Sequence, residues 1–333
     1  MTQLLDTVLL LALPASGKSE VRHYLASLTP KQCREDFGMG PTLQLDDYPY
    51  VHFMHRIDDE LMQRGQPYIF YKGPHRPFQD DFEWGTLCHL LNEDYDNLLH
   101  QRRVEVPSAA QHLFERIDRA RARVELPPRL GDLPYRLRAE IAAAMEDEVS
   151  EHLAELNAIW STNREGHTIV VELARGGPNG AAFPLTPPHG YEYSLSCFSS
   201  AMLERASILY VWVTPEESRR KNIERGKPDG QGSILHHSVP LEVMLGQYGC
   251  DDMAHLIERS GEPESVAIER LEVVGDGSNA HYALRTFRLP VGRFDNRDDL
   301  TTFVRKETSA WGADEVERIH SALGRAFSKL RQR

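Results

Sequence analysis

Cysteine is scarce: Cys33, Cys88, Cys197 and Cys250 are the only four in 333 residues. None stands in a C-x-x-C or beside a histidine at metal-ligand spacing. A disulfide scaffold and a Cys/His zinc site are thereby excluded as organising elements, and free thiols in a reducing compartment are expected. Long apolar runs are missing too. The stretch from Val8 to Leu13 is far shorter than the roughly 20 residues a membrane-spanning helix needs. No basic stretch precedes it and Asp6 adjoins it, so no membrane partner is expected and a cytoplasmic location is. Positive charge is in deficit: 38 Lys and Arg stand against 50 Asp and Glu, a net charge of −12. A surface of that sign repels nucleic acid and anionic lipid. No nucleic-acid partner is expected, and any polyanion must be held by a local cluster of donors. His189, His236 and His237 lack zinc-site spacing or cysteine partners and suit structural or solvent roles. Nothing in the sequence sets an oligomeric state.

What is present is an alternation of buried-type strands with helices. Thr7 to Leu13 is a continuous apolar run, as in a parallel strand covered on both faces, and Pro14 ends it. A helix follows from Gly17, with Val21, Leu25 and Leu28 on one face. Thr42 to Leu45 reads as a second strand stopped by Asp46-Asp47. Thr168 to Leu173 and Ile208 to Val213 repeat the buried pattern, and Thr214-Pro215-Glu216-Glu217 is a helix start. Val266 to Val274 and Tyr282 to Leu289 flank Gly275-Asp276-Gly277 as a hairpin, and Ala313 to Leu330 is a closing amphipathic helix. Between them, Leu98 to Arg123 and Leu137 to Trp160 read as helices, and the aromatic, Pro-rich stretch from Gly65 to Trp84 reads as loop. Within it, Tyr71-Lys72-Gly73-Pro74-His75-Arg76 reads as an exposed basic patch, with contact to an anionic acceptor as the other reading. The expected fold is one α/β domain over residues 1–333, three-layered around a mostly parallel sheet, with a helical insertion at 48–160.

The junction between the first strand and first helix carries the strongest motif. Ala12-Leu13-Pro14-Ala15-Ser16-Gly17-Lys18-Ser19 fits G-x-x-x-x-G-K-[ST] except that Ala12 replaces the first glycine. This is a P-loop by pattern and by context. Gly17 lets the backbone curl so that successive N–H groups point into one concavity, and the helix N-terminus adds partial positive charge there. Lys18 supplies a mobile cation for the β- and γ-phosphates, and Ser19 a hydroxyl for Mg²⁺.

The loop resembles that of the P-loop kinases of nucleosides, nucleotides and other small metabolites, a resemblance confined to the two ends of the chain. It implies ATP and Mg²⁺ as cofactors, with Pro14, Ala15, Ser16, Gly17, Lys18 and Ser19 on the phosphates and Ser19 with Asp46 on the metal. In kinases similar to this one, an Asp after the second strand takes the proton of the acceptor hydroxyl or contacts the metal, which points to Asp46 or Asp47. Glu172 is the other candidate base, because a Glu-Arg pair ends the corresponding strand of deoxynucleoside kinases; here the arginine comes later, at Arg175. The helix carrying Arg219, Arg220, Lys221 and Arg225 resembles the lid of such kinases, whose arginines close over the triphosphate. Leu289 to Asn296 resembles their last strand and adenine-side loop, with Asn296 at its end.

The resemblance thus implies an ATP- and Mg²⁺-dependent phosphotransferase acting on a small-molecule acceptor, nucleoside-like first. The alternative is a regulatory or switch-type NTPase whose insertion binds a protein partner. A kinase requires an enclosed pocket beside the γ-phosphate, walled by the insertion and reached by Asp46 or Asp47. A switch requires exposed apolar surface on the insertion.

Overall fold

The computed structural model describes residues 4–226 and 238–331; His236 and His237 lie outside them. The chain runs β1 (Thr7–Leu11), α1 (Lys18–Ser27), α2 (Pro30–Gln32), β2 (Thr42–Asp46), α3 (Tyr48–Gln63), α4 (Glu83–Leu99), α5 (Ala109–Ala122), α6 (Tyr135–Trp160) and β3 (Thr168–Leu173). It continues through α7 (Gly190–Cys197), α8 (Ser200–Leu203), β4 (Ala206–Trp212), α9 (Pro215–Arg225), α10 (Leu241–Gln247), α11 (Met253–Arg259), β5 (Ser265–Val274), β6 (His281–Asp295) and α12 (Ala313–Leu330).

Six strands form one sheet in the order β2-β3-β1-β4-β6-β5. All neighbours are parallel except β5, which pairs antiparallel with β6 as the Gly275-Asp276-Gly277 turn foretells. Every residue of β1 is buried because both faces are covered. On one face Leu9, Leu11, Leu45 and Val171 meet Cys88, Leu91 and Tyr95 of α4 and Leu195 of α7. On the other, Val8, Leu10, Val170 and Leu209 meet Val21, Tyr24 and Leu25 of α1 and Ile319, Leu323 and Phe327 of α12. The fold is therefore α/β with helices on both faces of a mostly parallel sheet.

Helices α3 to α6, between β2 and β3, hold a separate apolar cluster. Tyr50, Phe53, Met54, Ile57 and Leu61 of α3 pack with Leu113, Phe114, Ile117, Ile141, Met145 and Val149. The expected single helix from Leu98 to Arg123 is two helices. Pro107 lacks an N–H for a continuing helix, and Ser108 caps a new one by accepting from Gln111 N at 3.2 Å. Glu146 holds the same start, taking Ala109 N–H at 2.6 Å and Ser108 Oγ–H at 2.6 Å. The stretch from Gly65 to Trp84 is a loop as expected except at its end, where α4 begins, but it is not exposed throughout: Phe70, Tyr71 and Phe78 are buried. Asp58, fully buried on α3, anchors it by accepting the N–H groups of Ile69, Phe70 and Tyr71 at 2.7, 3.1 and 2.9 Å. No helix among the described residues is long and apolar enough to cross a membrane.

Candidate functional site

The parallel strands all end on one side of the sheet. Neighbours β3 and β4 flank β1 while their connections run to opposite sides of it, and in open α/β sheets ligands settle in the crevice at such a reversal. A cavity of about 610 Å³ lies there. Its walls include Pro14 to Ser19 after β1, Asp46 and Asp47 after β2, Glu172 to Arg175 at the end of β3, and Arg225 at the end of α9. The insertion closes another side with His55 of α3, Tyr71, His75, Arg76 and Phe78 of the following loop, and Trp84 of α4.

The segment from Ala12 to Ser19 is turned by two left-handed residues, Ala15 at φ 55° and Gly17 at φ 102°. A Cβ on Gly17 would lie 2.6 Å from both Asn296 Nδ2 and Thr301 Oγ1, so the position takes no side chain. The carbonyls of the loop face away from the cavity: Pro14 O accepts Ser218 Oγ–H at 2.7 Å and Ser16 O accepts Asn296 Nδ2–H at 2.8 Å. The N–H groups of Ala15, Ser16, Gly17, Lys18 and Ser19 have no acceptor among the described residues. Five successive orphan donors at a helix N-terminus are the makings of an anion site. Lys18 leans over them, its Nζ 3.5 Å from Ala12 O. Burial pulls its pKa down, and Glu172, Asp46 and Asp47 push back.

The three candidate carboxylates have different partners. Asp47 is buried and takes Arg175 Nη1–H at 2.6 Å. Arg175 is itself buried, stacked over Trp84 at 4.8 Å; burial disfavours its charge, but Asp47 together with Cys88 and Tyr248 more than offsets this and its pKa rises. Glu172 takes Arg22 Nη1–H of α1 at 2.7 Å. Among the described residues, Asp46 accepts only the backbone N–H of Tyr48, at 2.9 Å. It sits beside Glu172 in the β2–β3 register. Burial first, then Glu172 and Asp47, push its pKa up to about 7.

Two residues expected at the nucleotide lie outside the cavity lining. Asn296 is fully buried and does not line the cavity; its amide is committed to Ser16 O and Thr301 Oγ1, and its Oδ1 to Leu300 N–H. It braces the loop from behind. Arg219 also stays out of the lining, paired with Glu216 at 2.9 Å. Arg225 does reach the cavity, tied to buried Glu20 at 3.5 Å, which Arg305 also holds at 2.7 Å. Lys221 is buried against Asp299 at 3.0 Å and Arg220 is bound to Glu217 and Glu224 on the helix surface.

The exposed-patch reading of Tyr71 to Arg76 holds for Lys72, His75 and Arg76 and fails for Tyr71. Tyr71 is buried between His55, stacked nearly parallel with ring centroids 3.6 Å apart, and Phe78, at 4.6 Å. His75 and Arg76 nonetheless line the cavity. Sequence reasoning also missed His55, Trp84, Gln247 and Tyr248, which meet only through tertiary packing. A signal existed for α3: Tyr50, Phe53, Met54, Ile57 and Leu61 are spaced as one helical face. Nothing local marks Tyr248 as a partner of Trp84, at 5.7 Å between rings. No group of three or more His, Cys, Asp or Glu suited to a metal occurs among the described residues. Comparison with protein-family models, with curated proteins and with solved structures found no match to this chain.

Proposed function

We infer that the chain is an ATP- and Mg²⁺-dependent phosphotransferase acting on a small molecule, with residues 12–19 as its P-loop. One observation carries the reading: a single cavity joins five unpartnered N–H groups and Lys18 to a free carboxylate, Asp46, and to walls supplied by the insertion. The orphan donors fit a phosphate chain, and Lys18 fits its β- and γ-oxygens. Ser19 and Asp46 offer hard oxygen ligands suited to Mg²⁺, which keeps waters and takes phosphate oxygens rather than needing a full protein cage. Bound Mg²⁺ would neutralise charge developing on the transferred phosphoryl group.

The residues then divide the work. Lys18 and the loop amides hold the triphosphate and stabilise negative charge as the γ-phosphoryl group moves. The acceptor hydroxyl oxygen forms the new bond to phosphorus while the bond to the β–γ bridging oxygen breaks, and the hydroxyl proton passes to Asp46 Oδ. Arg175 holds Asp47 out of this role and fixes the entry of α3. Asn296 and Ser218 fix the loop carbonyls so that the N–H groups need no rearrangement. The insertion walls exclude water, which would otherwise take the phosphoryl group. The switch reading is less well supported, since most large apolar residues of the insertion lie in its own cluster or the cavity wall, with Tyr48, Met62, Phe82 and Tyr135 exposed.

Incubation with γ-labelled ATP, Mg²⁺ and a pool of small metabolites tests the inference. Label should appear in one new small molecule. Label found only as inorganic phosphate would favour the NTPase.

A further inference from the structure

The two ends of the cavity differ in how their charges are paired, and that bears on what the acceptor is. Among the described residues, Lys18 is the one lysine or arginine of the lining without a carboxylate partner. Arg22 is bonded to Glu172 at 2.7 Å, Arg175 to Asp47 at 2.6 Å, Arg76 to Glu242 at 2.8 Å and Arg225 to Glu20 at 3.5 Å. Lys18 stands with the orphan N–H groups, where a triphosphate would engage it. Away from the loop, the wall is Val51, Tyr71, Phe78, Trp84, Val243 and Tyr248.

Apart from exposed His75, the polar groups left over at that end are uncharged. The ring nitrogens of His55 and the hydroxyl of Tyr248 bond to no described group, although both residues line the cavity. Tyr71 holds the His55 ring flat against its own at 3.6 Å, so the imidazole has a fixed direction. Burial lowers the His55 pKa to about 4 and raises that of Tyr248, keeping both neutral. An anionic acceptor entering here would lose water and would have to take a cation from an existing pair, leaving a carboxylate uncompensated. A neutral acceptor needs only apolar contact and a few directed hydrogen bonds.

We propose that the acceptor is an uncharged small molecule with an apolar or aromatic body and a hydroxyl, its polar edge read by His55 and Tyr248. The proposal rests on the phosphotransferase reading. It makes His55 a specificity residue with no part in moving the phosphoryl group.

The test uses the full chain, γ-labelled ATP, Mg²⁺ and a small-metabolite extract passed through anion and cation exchangers in series. Label should enter a compound of the unretained, neutral fraction and none from either exchanger. Transfer to a retained compound would overturn the neutral acceptor while leaving the phosphotransferase reading intact. Release of label only as inorganic phosphate from every fraction would overturn both. With the labelled acceptor isolated, His55→Phe keeps the stack on Tyr71 and removes the ring nitrogens. It should raise the acceptor KM by about tenfold or more, the effect of one unmet hydrogen bond, with kcat and the KM for ATP within about twofold. An unchanged acceptor KM in His55→Phe, or a KM rise in Arg76→Gln alone, would overturn the role given to His55.

Discussion

One end of the cavity is built by a single stretch of chain and the other by several. Ala15 to Ser19 are consecutive, and their donors are backbone N–H groups aimed by the dihedrals of Ala15 and Gly17. The opposite wall draws His55 from α3, Tyr71 from a loop, Trp84 from α4 and Tyr248 from the turn after α10. Backbone chemistry repeats wherever the same turn forms, so the first end is generic. Side chains gathered from distant segments are particular to this chain, so the second end carries selectivity. Asp46 and Asp47 sit at the boundary, adjacent in sequence and opposite in circumstance: one unpaired, one locked to Arg175.

The sharpest way to break that contrast is to neutralise each carboxylate separately. Asp46→Asn should lower kcat by about 10²–10⁴-fold, the range for a positioned acid or base, while ATP binding measured by calorimetry without Mg²⁺ stays close to wild type. Asp47→Asn leaves Arg175 buried without its counter-charge and should cost about 3–5 kcal/mol of stability in a denaturant titration. Equal kinetic losses with equal stability in the two variants would remove the distinction. Next in size is Lys18→Ala. Because Lys18 is the one unpaired cation among the described residues of the loop end, its loss should lower phosphoryl transfer by about 10²-fold or more, and undiminished turnover would sink its role.

Much of the fold was legible because the signals were local. The buried run from Thr7, the Thr214 cap and the hairpin about Gly275 each specify their own stretch of backbone, and each forms as expected; Thr214 Oγ1 accepts Glu217 N–H at 3.2 Å. Lys18, Ser19, Asp46, Asp47, Glu172 and Arg225 meet at the cavity because all follow or end parallel strands, or end the helix after one. Their pairing was not legible. That Arg22 takes Glu172 and Arg175 takes Asp47 depends on helix and strand faces that only packing fixes. The burial of Asn296 was not legible for the same reason. A polar residue after the last strand suits a ligand contact or a buried brace equally well, until burial decides between them.

The brace has its own consequence for the generic end. Asn296→Ala would leave Ser16 O and the N–H of Leu300 without partners inside the protein. It should cost about 1–3 kcal/mol, read as a lower denaturation midpoint, and weaken nucleotide binding through a looser loop. Normal stability with lost binding would return Asn296 to the role of a direct contact. Asp46 makes a pH prediction of similar size. Its pKa is pushed up to about 7 by burial and by Glu172, and a base works only when deprotonated. The rate constant kcat/KM, which reports the free protein, should therefore fall about tenfold per pH unit below pH 7. A flat profile down to about pH 5, where an ordinary aspartate stays ionised, would mean that the base is not a carboxylate of raised pKa.

The smallest expected effect falls on an arginine that the resemblance places over the triphosphate and that lies outside the cavity lining. Arg219 is tied to Glu216 at 2.9 Å and lies near Asn179 Oδ1 at 3.5 Å, outside the cavity lining. Arg225, on the same helix, lines the cavity and is restrained by Glu20, so movement toward a phosphate means exchanging one carboxylate for a stronger anion. Arg219→Ala should then change stability by no more than about 0.5 kcal/mol, as for most partly exposed ion pairs, and leave kcat and the KM for ATP within about twofold. Arg225→Ala should raise the KM for ATP or lower kcat. A tenfold loss in Arg219→Ala would require α9 to turn on nucleotide binding and carry Arg219 into the cavity. The generic end would then be completed by a movable side chain, and the division between backbone-built and side-chain-built halves would fail at that point.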